Sequence, residues 1–291
     1  MSPHAKPRIA ITVGDPAGIG PEIAAKAAED ARVRAACQPL VFAPDPPVSV
    51  AVGQASAASG RAAYEVIVRA VQAARAGEVD AIATAPVSKL AWSMAGLPWK
   101  GHTDLLAHLC GTTRYAMLFY SPQLIVVLAT VHVPLSEVPG MLTRAHLAET
   151  IALTAEWLRR FGVASPRVAL AGLNPHAGES GVIGDEETQV LAPAVADART
   201  AGIVASGPWP GDTVFLRASR GEFDAVVACY HDQGLIPVKL LAFGRAVNVT
   251  VGLPIVRTSV DHGTAFDIAG KNVADAGSLV EAVLLAARLA R

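Results

Sequence analysis

The chain has 291 residues, of which 52% are hydrophobic, and a formal net charge of −1 at pH 7. This length and hydrophobicity predict a large core, built as one α/β unit or as two joined lobes. The balanced charge argues against a nucleic-acid or anionic-membrane partner.

No apolar segment of the sequence is typical of secretion or membrane insertion. The N-terminus lacks the apolar run of a signal peptide, and the longest apolar stretch, residues 124–135, is too short to span a bilayer. The three cysteines form no CxxC pair and lie among apolar residues, which favours buried thiols. These features predict a cytoplasmic protein.

The chain opens with a predicted strand at residues 8–13, a glycine-rich segment at 14–22 and a helix at 23–36. A glycine loop between a strand and a helix is either an anion-binding corner or a tight turn where the backbone packs closely. The segment lacks the GxGxxG spacing and the lysine of a P-loop. The sequence leaves both interpretations open.

Strands and helices alternate along the rest of the chain. Further strands are predicted at residues 39–42, 81–84, 124–131, 167–171 and 203–207, from residue 225, and at 246–251. Helices are predicted at residues 62–76, 105–109, 144–161, 186–201 and 278–291. This order favours a parallel sheet with helices on both faces. No repeat or linker marks a domain boundary, so residues 1–291 are treated as a single unit.

A titratable cluster follows the strand that begins at Ala225. Tyr230, His231, Asp232 and Gln233 come together where that apolar run ends, and Gly234 breaks the pattern. Ligands of open α/β proteins bind at the carboxyl ends of strands. The cluster is therefore a candidate functional site.

Three predicted strands are each followed by a histidine: His132, His176 and His231. Because parallel strand ends meet at one edge of a sheet, three such imidazoles can share a divalent ion and leave positions open for a substrate. The spacing contains no local metal motif such as HExxH. The alternative is that each histidine only satisfies hydrogen bonds of its loop.

Lys239, Asn248 and Arg257 follow the third histidine at even spacing. Lysine and arginine pair with phosphate or carboxylate groups. Lys239 has apolar sequence neighbours, where an unpaired ammonium would be costly. Scattered structural roles are the alternative for all three residues.

Five segments together resemble the 4-hydroxythreonine-4-phosphate dehydrogenase (PdxA) family of vitamin B6, or pyridoxine, biosynthesis. The segments are GDPAGIGPE at 14–22, APVSK at 85–89, GHTD at 101–104, LNPHAGE at 173–179 and YHDQG at 230–234. The resemblance extends from residue 9 to about residue 285.

The resemblance implies a three-layer α/β/α fold like that of isocitrate and isopropylmalate dehydrogenases, with two interwoven lobes and the active site in the cleft between them. It implies a homodimer whose active sites are shared across the interface. The metal ligands would be His132, His176 and His231, one of them from the opposite subunit. Zinc, cobalt and magnesium all remain candidates for the metal.

The resemblance also assigns the groups that would hold substrate and cofactor. Substrate-binding positions match His102, Thr103, Lys239, Asn248 and Arg257. Asp212 matches an acidic site residue, and we expect Asp212 and Lys239 to transfer protons. Residues 261–271 resemble the adenosine-side loop of isopropylmalate dehydrogenases, which places His262, Gly263 and Thr264 at NAD or NADP.

The implied reaction is oxidation by NAD(P) of the secondary alcohol of 4-phosphooxy-L-threonine, followed by decarboxylation to 3-amino-2-oxopropyl phosphate. Residues 43–60 form a shorter segment than in typical family members. Relatives that oxidise 4-phospho-threonate, 4-phospho-erythronate or the cis-dihydrodiol of terephthalate supply the alternative substrates. A catalytically inactive binding protein is a third hypothesis, which the complete set of site residues disfavours.

Overall fold

The computed structural model describes residues 6–291, which divide into two compact units. The first unit comprises the described residues up to Arg114 together with Val247–Arg291, and the second comprises Tyr115–Ala246. The chain therefore leaves the first unit once and returns to it. Between residues 6 and 291, no helix is both long and apolar enough to cross a lipid bilayer.

The strands and helices are numbered in chain order over both units. The strands are β1 (Arg8–Thr12), β2 (Gln38–Phe42), β3 (Ala81–Thr84), β4 (Ala116–Tyr120), β5 (Ile125–Leu128), β6 (Arg167–Ala171), β7 (Val204–Trp209), β8 (Ala225–Ala228), β9 (Val247–Val251) and β10 (Arg257–Ser259). The helices are α1 (Gly20–Glu29), α2 (Ala31–Ala36), α3 (Ala57–Arg75), α4 (Lys89–Met94), α5 (His102–Cys110), α6 (Val138–Met141), α7 (Arg144–Arg160), α8 (Ala192–Thr200), α9 (Gly211–Ser219), α10 (His231–Ala242) and α11 (Gly277–Leu289).

In the first unit the strands lie in the order β2-β1-β3-β10-β9. All are parallel except β9, which runs antiparallel to β10. Ala10 and Ile82 pack in one apolar cluster with Ile67 of α3 and Trp92 of α4. Strand β1 is buried on both faces, since Ile9 is fully buried as well. Burial on both faces explains why these strands have continuous apolar sequences.

In the second unit the order is β4-β5-β8-β6-β7. Strands β5, β8, β6 and β7 are parallel, and β4 is antiparallel to β5. Val126 and Val226 belong to a core cluster that also contains Phe215 of α9 and Val238 of α10. Helices α9 and α10 thus cover one face of this sheet.

The predicted parallel sheet contains two antiparallel pairs that the sequence did not indicate. Each unit contains one antiparallel pair, which is β9 with β10 in the first unit and β4 with β5 in the second. Strand β4 was not predicted, and it forms a hairpin with β5 through hydrogen bonds between Ser121 and Leu124. The sheet is therefore mixed, while the α/β class is as predicted.

Helix boundaries differed from the prediction where side chains cap the backbone. The single helix predicted at 23–36 is two helices, because Asp30 leaves the helical conformation and its carboxylate accepts the N–H groups of Arg32 and Val33. Helix α3 begins five residues earlier than predicted, because Ser56 and Ser59 form a capping box.

Helices α4, α9 and α10 were not predicted, and α10 changes the interpretation of Gly234. This glycine lies inside the helix instead of ending a pattern. A Cβ there would lie 2.6 Å from Leu128 Cδ2 and 2.8 Å from Val126 Cγ1. The glycine therefore allows α10 to pack closely against the strand β5.

Candidate active site

Arg257 is a buried cation of the first unit that is held by hydroxyl groups. The residue is 2% exposed. Its Nε and Nη2 donate to Thr84 Oγ1 at 3.2 and 2.7 Å, and its Nη1 donates to Thr250 Oγ1 at 2.9 Å. Among residues 6–291 no carboxylate forms an ion pair with it. Burial lowers the pKa of Arg257 to about 9, which leaves the group charged at neutral pH. A buried charge without a counter-ion favours an anionic ligand.

His102 begins helix α5 and presents an unsatisfied nitrogen in the same unit. Although the residue is only half-buried, its Nε2 atom is enclosed and has no hydrogen-bond partner in the described part of the chain. Its ring meets the edge of Trp92, with ring centroids 6.0 Å apart. Burial and, secondarily, the charge of Arg257 hold the pKa of His102 well below its usual 6.5. His102 is therefore a neutral imidazole available to a polar ligand.

Asn248 belongs to a row of polar residues that crosses four strands. In the sheet register it lies opposite Ser259, Ser259 opposite Thr84, and Thr84 opposite Thr12. Thr84 and Ser259 are joined by a hydrogen bond of 3.0 Å between their hydroxyls. At the two ends of the row, Thr12 Oγ1 and Asn248 Oδ1 are enclosed and accept no hydrogen bond from any of the described residues. Buried polar atoms are normally hydrogen-bonded, so these atoms indicate a position for a polar ligand.

The two remaining predicted substrate-binding residues, Thr103 and Lys239, belong to different units. Thr103 is the second residue of α5 and is half-buried. Lys239 lies on α10 in the second unit and is exposed, in contrast to the apolar surroundings expected from its sequence neighbours. The helical period explains the difference: Val238 faces the core, whereas Leu240 is exposed like Lys239.

Two of the predicted metal ligands lie together in the second unit. His132 follows β5 and His231 begins α10 just after β8, and β5 and β8 are neighbours in the sheet. The centroids of the two imidazole rings are 5.6 Å apart. This separation allows both rings to approach one ion.

His176 lies in an unusual turn after β6. Residues 176–180 all have left-handed backbone angles, with φ between 44° and 79°. Each non-glycine residue in this conformation costs roughly 1–2 kcal/mol. Glu187, which is 3% exposed, supports the turn by accepting Asn174 N at 2.7 Å and Asn174 Nδ2 at 2.9 Å. The turn places Glu179 Oε2 at 3.0 Å from His176 Nδ1.

The residues fit a metal in their chemistry but do not form a complete site within the described chain. Imidazole donors suit zinc and cobalt, and His132 and His231 lie close to each other. However, no three histidine, cysteine, aspartate or glutamate side chains gather around one point within residues 6–291. The three-histidine site stays a prediction, and the resemblance takes one of the three ligands from an opposite subunit.

A cavity of about 710 Å³ in the second unit contains other predicted site residues. His176 and Asp212 line it together with Tyr230 and Gln233. Asp212 lies in the first turn of α9 and is exposed. The other wall of the cavity is apolar and is formed by Phe215, Leu216, Ile236, Pro237, Leu240 and Leu241. The cavity therefore places one predicted proton-transfer group in the same space as one predicted metal ligand.

The predicted cofactor loop is partly exposed. His262 and Gly263 are exposed, and His262 Nδ1 lies 3.0 Å from the carbonyl oxygen of Gly263. Thr264 is half-buried and its carbonyl accepts the N–H of Ile19 at 3.0 Å. This loop thus packs against the glycine-rich segment, and its role toward NAD(P) stays a prediction.

The glycine-rich segment at 14–22 favours the tight-turn interpretation. Its amides are used within the protein: Asp15 N donates to Pro86 O, and Gly18 N donates to Asp15 O. A Cβ on Gly18 would lie 2.8 Å from Thr264 O. The glycine therefore permits close backbone approach, which is the second of the two roles left open by the sequence.

Three polar residues of the site were missed in the sequence, whereas Asp232 belonged to the candidate cluster at 230–233 but was given no role. Thr84 ends β3 directly before the motif at 85–89, and Glu179 lies inside a recognised motif, so their positions offered a signal. Thr250 lies within β9 and carries no such signal. Its role depends on the pairing of strands that only the structure shows.

Comparisons with known proteins identify the family of this chain. The family described as "Pyridoxal phosphate biosynthetic protein PdxA" matches residues 13–286. A 4-hydroxythreonine-4-phosphate dehydrogenase of Desulfosudis oleivorans is 47% identical over 322 aligned residues, covering 97% of this chain and 95% of the relative. That aligned span exceeds the 291 residues of this chain, so the relative contains segments that this chain lacks.

A second relative carries a different substrate in its name. The D-threonate 4-phosphate dehydrogenase of Salmonella typhimurium is 43% identical, over 97% of this chain and 98% of the relative. Both names describe dehydrogenases of phosphorylated small molecules.

Solved structures agree with the predicted fold. A 4-hydroxythreonine-4-phosphate dehydrogenase from Klebsiella pneumoniae superimposes with a TM-score of 0.88 at 42% identity, covering 98% of this chain and 100% of that one. An isocitrate dehydrogenase from Methylococcus capsulatus, 18% identical with a TM-score of 0.51 over 96% of this chain and 83% of its own, shares the fold alone. By the family match and these identities, the chain belongs to the PdxA family of pyridoxal phosphate biosynthetic proteins.

Proposed function

We propose that this chain is a metal-dependent NAD(P) dehydrogenase that oxidises 4-phosphooxy-L-threonine and decarboxylates the product to 3-amino-2-oxopropyl phosphate. The single observation that carries the proposal is the buried guanidinium of Arg257, which neutral hydroxyls hold while no carboxylate of residues 6–291 pairs with it. The relative from Desulfosudis oleivorans, with its name and 47% identity, supports the choice of substrate.

The first unit supplies the anion-binding end in this proposal. Arg257 provides the charge, and Thr84 and Thr250 fix its guanidinium through three hydrogen bonds. The enclosed Nε2 of His102 and Oδ1 of Asn248 are available to further polar atoms of the substrate. Thr103, next to His102, completes this set, and Lys239 of the second unit adds a second positive charge.

The second unit supplies the groups for the chemistry at the alcohol. A divalent metal on His132, His176 and His231 would supply Lewis-acid stabilisation of negative charge on oxygen. A bound NAD(P) would supply the acceptor for the hydride of the carbinol carbon, and a base of the protein would take the proton of its hydroxyl. The β-keto acid then loses carbon dioxide, and the carbon that carried it gains a proton. Asp212 is the favoured proton-transfer group, because it lines the cavity that contains His176.

The cofactor in this proposal is NAD or NADP, held on the adenosine side by His262, Gly263 and Thr264. The exposed position of His262 and Gly263 leaves both open to a ligand. The cleft between two lobes that the resemblance implies stays a prediction. The cytoplasmic location also stays a prediction.

We propose a homodimer that completes the metal site. Helix α10 carries His231 at its first residue and exposes Ile236 (66%), Leu240 (84%) and, just past its end, Phe243 (80%). Such a group of exposed apolar side chains is typical of an interface. A second copy of the chain that covers this helix would bring its own metal ligands near His231, as the resemblance implies.

A phosphorylated threonate is the second candidate substrate, favoured by the 43% identity to the Salmonella typhimurium relative. The two substrates differ at the carbon next to the carboxylate, where one carries an amino group and the other a hydroxyl. Arg257 recognises the phosphate of either one. The site residues therefore support a phosphorylated hydroxy acid as the substrate. They do not distinguish an amino group from a hydroxyl on the carbon next to its carboxylate.

The test is to measure NADH formation by the purified dimer on 4-phosphooxy-L-threonine, 4-phospho-D-threonate, 4-phospho-D-erythronate and the terephthalate cis-dihydrodiol. The proposal expects the highest kcat/KM with 4-phosphooxy-L-threonine and loss of turnover after metal removal. Efficient turnover of another substrate, with none of the first, would replace the assignment. Full activity in metal-free protein would contradict the proposed chemistry.

A further inference from the structure

Two of the predicted metal ligands share a feature that the proposed function does not use. His176 Nδ1 lies 3.0 Å from Glu179 Oε2, and His231 Nδ1 lies 2.7 Å from Asp232 Oδ1. In both pairs the carboxylate contacts the same ring nitrogen. We propose that Glu179 and Asp232 are positioning residues that orient His176 and His231 toward the metal. The inference rests on the proposed function, which makes these histidines metal ligands.

The chemistry follows from what each atom can donate. An ionised carboxylate only accepts hydrogen bonds, so the Nδ1 atom that faces it must carry the hydrogen. A neutral imidazole with hydrogen on Nδ1 has its lone pair on Nε2. Both rings are thereby held with Nε2 as the free donor atom. Metal-binding histidines in proteins are commonly oriented in this way by a carboxylate on the other ring nitrogen.

The two pairs form by different local geometries. Glu179 reaches His176 because residues 176–180 are wound in a left-handed turn, in which positions three apart lie side by side. Asp232 follows His231 directly in the first turn of α10, where the helix dipole stabilises its negative charge. Two unrelated backbone conformations therefore produce the same contact on two ligands of one proposed site.

The turn that carries Glu179 is itself held rigidly. Buried Glu187 accepts two hydrogen bonds from Asn174, and a Cβ on Gly178 would lie 2.7 Å from Glu187 Oε2. The backbone under His176 and Glu179 is therefore fixed even though both side chains are exposed. A fixed backbone lowers the entropy cost of keeping the pair together.

The experiment measures zinc affinity by competition with a chromophoric chelator, and the visible spectrum of the cobalt form. Glu179→Ala and Asp232→Ala are each expected to weaken zinc binding by about 10- to 100-fold. Glu179→Gln and Asp232→Asn are expected to recover most of the affinity, because the amide oxygen still accepts from Nδ1. Their cobalt spectra should match the wild type, since no ligand is lost. Glu65→Ala, which removes an exposed carboxylate on α3, is the matched control and should bind zinc normally.

His176→Ala separates failure of this inference from failure of the proposed metal site. If His176→Ala loses zinc while both alanine variants of the carboxylates bind it with wild-type affinity, the positioning role is wrong and the metal site stands. If the glutamine and asparagine variants lose as much affinity as the alanine variants and change the cobalt spectrum, the carboxylates are direct ligands and the inference is overturned. If His176→Ala binds zinc as tightly as the wild type, the metal site and the inference both fail.

Discussion

The two units present their functional groups in opposite ways. In the first unit, Arg257 is buried and its guanidinium is fixed by two threonine hydroxyls. In the second unit, His176 and Asp212 are exposed, and His231 is half-buried at a helix start. One set is enclosed within a single chain, whereas the other lies on turns and helix ends.

The difference shows which part of the site is formed by folding alone. Strand pairing fixes the polar row of Thr84, Ser259 and Asn248, so the groups that we propose to bind the anion are held together within one chain. The histidines do not gather as a group of three within residues 6–291. We therefore expect the isolated fold to bind anions in a preformed site, while metal binding depends on assembly.

The largest effect is expected from His231→Ala. Loss of a direct ligand should weaken zinc binding by more than the roughly 100-fold that outer-shell changes reach, and should abolish NAD(P) reduction. Sulfate binding, measured by calorimetry, should stay within about twofold of the wild type, because Arg257 lies in the other unit. His146→Ala, an exposed histidine whose Nε2 contacts Ala129 O, is the control. Equal zinc affinity in His231→Ala and His146→Ala would contradict the assignment of His231 as a metal ligand.

Arg257→Met should have the next largest effect. Loss of the charge and of its fork geometry should weaken sulfate or substrate binding by about 100-fold. The free energy of unfolding should change little, because removal of an uncompensated buried charge offsets the loss of three hydrogen bonds to Thr84 and Thr250. Calorimetry and urea unfolding measure the two quantities. In the control Arg8→Met, which breaks a pair with Asp80, anion binding should be unchanged. Unaltered binding in Arg257→Met would remove the basis of the proposed substrate.

The neutral state of His102 predicts a pH dependence of stability. Below its unfolded pKa of about 6.5 the unfolded chain binds a proton at this residue, whereas the folded chain, with its lowered pKa, does not. The free energy of unfolding should therefore fall between pH 7.5 and 5.5 because of this group, by at most about 1.4 kcal/mol. Urea unfolding of the wild type and of His102→Gln at the two pH values gives the difference. Identical pH dependence in the two proteins would show that His102 is protonated normally in the folded state.

The smallest effect concerns the contact between Gly18 and Thr264. A Cβ at position 18 would press on the Thr264 carbonyl at 2.8 Å and displace the predicted cofactor loop. Gly18→Ala should raise the KM for NAD about fivefold, or roughly 1 kcal/mol, with little change in zinc affinity. Gly140→Ala is the control, because a Cβ there meets nothing within 4 Å. An unchanged KM would argue that the loop does not hold the cofactor.

Strands and helices with a strong apolar pattern were predicted well from the sequence. Residue contacts that depend on the pairing of strands distant in sequence were predicted poorly. The strand-end argument placed His132 and His231 at one edge, and β5 and β8 are indeed neighbours. The hydroxyls around Arg257 could not be predicted, because Thr84 reaches it across 173 positions of sequence. Which strands pair is set by the whole fold, and no local pattern carries that information.

The turn at His176 illustrates a different limit. Five left-handed residues in a row contradict the local preferences of histidine, alanine, glutamate and serine. The conformation is stabilised by Glu187, which lies beyond the turn and is buried against Asn174. A sequence motif identified the segment, but its conformation depends on tertiary contacts that override local propensity.

The hydroxyl surroundings of Arg257 also have a consequence for the survival of the protein in a cell. A chain whose buried cation lacks a counter-ion is less stable when empty than when an anion is bound, by an amount that grows with the ligand concentration relative to its Kd. Proteases act on transiently opened molecules, whose population falls as stability rises. The lifetime of this protein should therefore lengthen when its anionic substrate is abundant, which would couple its degradation to the supply of that substrate.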